Sequence, residues 1–198
     1  ELGEPTVAGF PFRLEVFIQT PVLAGPGKQW RWELPNARAW ARPWKPSEIE
    51  MSVPGVHTLK TEGQAAAVTM AQADGELKLR SAKPHFLLVR LAGVDWAQPG
   101  SVGTRIDTLT FRAEKGVNVN GESDNPATGL GIAIDARKVI LPDAWKPPLG
   151  TGLKRVSIDA VILGSFEPRG RLSEALPRWR DAGGAIEVGA LALDWQAL

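Results

Sequence analysis

The residues whose types could do chemistry are few and scattered. General acid–base work and most metal sites use histidine, and the chain has two, His57 and His85. Neither has a second His or a carboxylate at the short spacing of a zinc motif, and no His-Glu-x-x-His stretch occurs. Asp95, Asp107, Asp135, Asp159 and Asp194 fall singly along alternating stretches, where a charge ordinarily faces water. A glycosidase needs two carboxylates across a cleft, which sequence separation does not display. Asn118 to Pro126 concentrates oxygen ligands but lacks the D-x-[DN]-x-[DN]-G order of a calcium loop, so it reads as a surface loop of turn formers. Gly150-Thr151-Gly152-Leu153-Lys154 lacks phosphate-loop spacing, and no G-x-S-x-G elbow is present. With no cysteine, thiolate ligands, thiol nucleophiles and disulfides are excluded. These residues predict no catalytic group, no cofactor and no metal ligand, hence a non-enzymatic protein.

The most unusual stretch is Trp30 to Pro46, where four of the eight tryptophans stand among prolines. Trp40 and Trp44 with Pro43 and Pro46 could line a groove for an apolar ligand or an extended peptide. Against that, Trp30 and Trp32 suit a core or a sheet face, with the prolines marking a loop. Both readings stay open. Lys and Arg total 23 and Asp and Glu 22, a net charge of +1, which argues against nucleic acid as a partner. No run of about 18 apolar residues spans a membrane.

The elements that must position such a groove follow from alternation with period two. Phe12, Leu14, Val16 and Ile18 share one face of a predicted strand, as do Trp30, Trp32 and Leu34 of the next. Ile49 to Val53 forms a third, ended by Pro54-Gly55, and Ala65 to Ser81 a fourth, broken by a turn or bulge at Asp74-Gly75. Phe86 to Val89, Thr104 to Ala113, Gly131 to Leu141, Val156 to Gly164 and Ala185 to Trp195 complete the set. Arg171 to Asp181 predicts one short helix, with Ser173 at its N-cap, Gly183-Gly184 as its stop and a kink or restart at Pro177. The expected fold is all-β, mainly an antiparallel meander in one long curved or open barrel-like sheet, with that helix near residues 171–182. Residues 1–198 are expected to be a single domain.

Gly9-Phe10-Pro11-Phe12-Arg13-Leu14-Glu15-Val16, Trp30-Arg31-Trp32-Glu33-Leu34-Pro35 and the tail Leu176-Pro177-Arg178-Trp179-Arg180-Asp181-Ala182-Gly183-Gly184 resemble the bacterial envelope family catalogued as domain of unknown function 2125. The likeness covers both ends and, more loosely, the middle. It implies a periplasmic body tethered to the inner membrane by an N-terminal segment preceding Glu1. It also implies further strands beyond Leu198 and a family with no established enzymatic activity. It implies a β-rich layout like that of envelope proteins whose curved sheets hold acyl chains in an apolar groove. The expected function is accordingly a binding or scaffold protein for lipid-like ligands. The expected groove contacts are Phe12, Leu14, Val16, Trp30, Trp32, Trp40 and Trp44. A subunit of an envelope assembly, pairing strand edges with a membrane or envelope protein partner, is the rival, and a hydrolase of envelope polymers a distant third.

Overall fold

The computed structural model describes residues 5–25, 29–61, 64–97, 103–118, 128–145, 147–164 and 172–195. Among these, alternating apolar and polar residues form thirteen strands in one antiparallel sheet, which does not close into a barrel. Seven short strands come first: β1 (Thr6–Ala8), β2 (Leu14–Ile18), β3 (Val22–Ala24), β4 (Trp30–Glu33), β5 (Ala37–Arg42), β6 (Lys45–Ser52) and β7 (Gly55–Thr61). Six long ones follow: β8 (Gln64–Arg80), β9 (Lys83–Ala97), β10 (Thr104–Asn118), β11 (Thr128–Ile140), β12 (Gly152–Leu163) and β13 (Ala185–Trp195). Between β12 and β13 lies the helix α1 (Leu172–Asp181).

The sheet order is β1-β2-β5-β6-β8-β9-β10-β11-β12-β13, with β3, β4 and β7 forming a branch on β8. The fork has a simple geometry. β6 pairs with Asp74–Lys78 of β8 and β7 with Gln64–Met70 of the same strand edge. β6 and β7 are therefore two halves of one long strand, bent at Val53-Pro54, where the Val53 amide donates to the Ala73 carbonyl at 2.8 Å. The pairs β4/β5 and β2/β3 are bent in the same way.

This bend crosses the whole sheet as a crease. In the long strands it interrupts the ladder at Ala71, Gly93, Asp107, Lys138 and Lys154, none of which is paired at that level. Thr20, Gly55, Gly93 and Lys138 take positive φ there, an angle that turns a strand out of its pleat. Gly93 is required: a Cβ at its φ of +59° would lie 2.9 Å from the Ala71 Cβ.

The core is a seam along the crease. Ala136, Val139 and Leu153 are buried, with Ile106, Leu109, Leu141, Val156 and Trp195 packed against them. Ala136 and Val139 are three residues apart yet on one side, because the crease at Lys138 reverses the alternation. Away from the seam little is buried, and none of the described large side chains is fully enclosed. The accessible surface is 13710 Å², against about 9,100 Å² for a compact protein of 21.3 kDa. Among the described residues the sheet is a single layer.

Three expectations are corrected. Asp74-Gly75 makes no turn, since both residues pair within the unbroken β8. Gly75 instead admits Met51, whose Cγ would lie 2.7 Å from an added Cβ. The helix runs through Pro177 without restarting, and Ser173 stands inside it rather than capping it. Phe12 precedes the strand it was assigned to, in the β1–β2 turn.

Candidate functional site

Partners across a ladder share a face, so the register shows what each face carries. Towards the crease lies the row Ala73, Leu91, Leu109, Ala136, Val156, Leu193. The next row is Val16, Ala39, Met51, Gly75, Val89, Phe111, Ile134, Ile158, Leu191, running unbroken from β2 to β13. Beyond it come Leu14, Ala41, Ile49, Leu77, Leu87, Ala113, Ile132, Ala160, Val188. No polar side chain interrupts these rows. Nine strand spacings from β1 to β13 make the face about 43 Å wide, and its rows extend about 20 Å along the strands. The face meets its own lower half along the crease, which makes it the inner side.

The lower half continues this inner face through Met70, Val94, Ile106, Val139, Leu153 and Trp195. On the branch, Leu23, Trp32 and Leu59 form a cross-strand row. His57 is buried there, its Nε2 donating to the Val53 carbonyl at 2.8 Å and its ring 5.8 Å from that of Trp32. This bond ties the branch to the crease. His57 Nδ1 is buried without a partner.

The outer face alternates charge. Arg155 and Arg137 donate to Asp135 at 2.6 and 3.0 Å, and Lys138 pairs with Asp107, Lys154 with Asp194 and Arg105 with Asp95. At Asp135 burial opposes ionisation most strongly, but the bonds from Arg155 and Arg137 together outweigh it and hold the carboxyl below its ordinary value. Glu33 is lowered by hydrogen bonds from Lys60 and then Arg31. In both cases the ionised carboxyl is favoured by cations on its own strand and on the neighbouring one. A shallow depression of about 390 Å³ between Arg112, Ala133 and Asp159 opens on this face. Among the described residues no cluster of three or more His, Asp or Glu could hold a metal. The oxygen-rich loop of Asn118 to Pro126 lies, after Asn118, outside the described residues.

Of the expected groove contacts, Leu14 and Val16 lie on the inner face, and Trp30 and Trp32 alternate onto one face of β4. Trp40 lies on the outer face, paired with Glu15 and Glu50 and with the Arg13 guanidinium 5.7 Å above its ring. Phe12 and Trp44 are on neither face. They stand in turns, 77% and 64% exposed. The central contributors Phe111, Ile134 and Ile158 were absent from the expected set, although their strands were recognised by the same alternation.

Fold and faces define a class: a single-layer antiparallel sheet, creased across its strands, with a continuous apolar inner face and a charged outer one. The chain belongs to the family described as "Uncharacterized protein conserved in bacteria (DUF2125)", whose model matches residues 1–198. No curated protein and no solved structure matches it.

Proposed function

We propose that this protein is a non-enzymatic binder of lipid-like amphiphiles, with acyl chains lying against the inner face and headgroups in solvent. The observation that carries the reading is the apolar row from Val16 to Leu191, crossed by no polar side chain and, among the described residues, covered by no second layer. Water against such a face is unfavourable by about 25 cal/mol per Å² of apolar surface, and a face of this size calls for a cover. An acyl chain reaches about half the 30 Å hydrocarbon thickness of a bilayer, so it fits either dimension of the face. The family resemblance supports a periplasmic setting.

The test is mass spectrometry of an organic extract from protein purified gently out of its native envelope, then competition against a fluorescent fatty acid. Near-stoichiometric lipid is expected, and an affinity that rises about fourfold per added methylene, from about 0.8 kcal/mol each. A blank extract together with no dependence on chain length sinks the reading.

One observation favours the rival role in an assembly. Strand β13 is an eleven-residue edge whose Ile186, Val188, Leu191 and Leu193 are more than half exposed. Its outer backbone groups have no ladder partner among the described residues, which suits an added strand. Cross-linking in the envelope distinguishes this reading, by recovering a partner strand on β13.

A further inference from the structure

The end of the sheet away from the crease, its upper rim, carries three hairpin turns side by side, because β1, β2, β5, β6, β8 and β9 are consecutive in the sheet. They are Gly9–Arg13, Arg42–Lys45 and Arg80–Lys83. Two of their tips are aromatic: Phe10 is 81% exposed, Phe12 77% and Trp44 64%. Arg13, Arg42, Lys45, Arg80 and Lys83 flank the tips, and none of these turns contains an acidic residue. Arg13 and Lys45 are paired with Glu15 and Glu48. Arg42, Arg80 and Lys83 have no ion-pair partner among the described residues.

At the crease the same strands turn through Gln19-Thr20-Pro21 and Leu34-Pro35-Asn36, which hold no cation and no exposed aromatic ring. The upper rim is thus a distinct surface about 24 Å long, aromatic at two of its three tips and cationic at its shoulders. Aromatic rings with cations behind them suit the interfacial zone of a bilayer, where rings sit at headgroup level and Lys and Arg meet anionic phosphates. A protein partner for these tips would need a matching concave acidic surface, whereas a bilayer accepts separated tips at any spacing.

We propose that this rim docks on the surface of an anionic phospholipid bilayer, so that the apolar inner face opens directly onto the lipid. The use of the contact rests on the lipid-binding reading. The contact itself rests only on the rim.

The experiment is co-sedimentation of the full chain with vesicles of phosphatidylglycerol and phosphatidylcholine in equal parts, beside vesicles of phosphatidylcholine alone. Binding to the first and much weaker binding to the second is expected, with loss as salt is raised. Arg42→Gln, Arg80→Gln and Lys83→Gln each lower the affinity about fivefold. Phe10→Ser and Trp44→Ser weaken it at every salt concentration. These side chains point into solvent, so melting temperatures stay unchanged, and any variant that melts early is replaced by the next single substitution on the rim. Equal binding to both vesicle types, or affinities indifferent to all five substitutions, overturns the proposal. Ile134→Lys separates the two readings: a variant that keeps vesicle binding but yields a blank extract loses the face and keeps the rim. Lipid in the wild-type extract without any vesicle binding refutes the rim and keeps the face.

Discussion

The two faces of the sheet are made by the same strands, residue by residue, and they obey different physics. On the inner face Val89, Phe111, Ile134 and Ile158 stand in one row. One position along, the outer row holds Arg90, Thr110, Asp135 and Ser157. The outer row is complete in itself, since each charge has water and an opposite charge beside it. Among the described residues, the buried cluster that packs the inner face lies along the crease. The difference teaches that a sheet can pair the backbone of its interior strands while its two faces are treated unequally, one satisfied by water and opposite charge and the other apolar and open.

The largest way to break this comparison is a charge on the inner face. Ile134→Lys is expected to lower stability by about 2 kcal/mol or more and, on the proposed function, to abolish lipid binding, because a cation would replace an apolar group in the middle of the row. Its neighbour Ala133→Lys, on the outer face between Arg112 and Asp159, is expected to stay within about 0.5 kcal/mol. Chemical denaturation of the pair reads the contrast. Equal costs would show the two faces to be alike.

A smaller effect is expected at His57, the one buried polar side chain among the described residues. His57→Phe keeps a ring against Trp32 but removes the donor to the Val53 carbonyl. An unsatisfied carbonyl at the crease costs about 1–3 kcal/mol. Hydrogen exchange should rise first in β7 and β4, the branch that this bond ties down. Uniform exchange across the sheet would deny it that role.

The smallest concerns the outer face alone. Because the folded-state pKa of Asp135 is lowered, its contribution is present above the unfolded carboxylate value near 4 and fades as pH falls through the lower folded value. Asp135→Asn is expected to cost about 0.5–1 kcal/mol at neutral pH, discounted for its half-exposed arginine partners. The loss should vanish at acid pH. A cost independent of pH would place the effect in shape rather than charge.

Much of the sheet is legible in the chain. Leu77 and Leu79 against Lys78 and Arg80 already assign β8 two unlike faces. The crease is not legible, because its residues send mixed signals. Pro54 reads as the end of one strand, while Ala71, Asp107 and Lys138 fall inside expected strands as ordinary positions. Only pairing shows that all lie on one line. The same blindness misplaced the tryptophans: Trp40 looked like a groove residue by type, yet its register with Glu15 and Glu50 sets it outside.

By itself the sequence determined an antiparallel sheet with one apolar side, since period-two alternation is a property of neighbouring residues and survives any arrangement of the strands. The tertiary structure decided which strands meet, where they all bend and which aromatic residues reach the rim. Those choices depend on register between residues far apart in the chain, and at the crease the fold reverses the alternation itself. No local pattern records that reversal, because Lys138 carries its positive φ only in the company of its neighbours across the sheet.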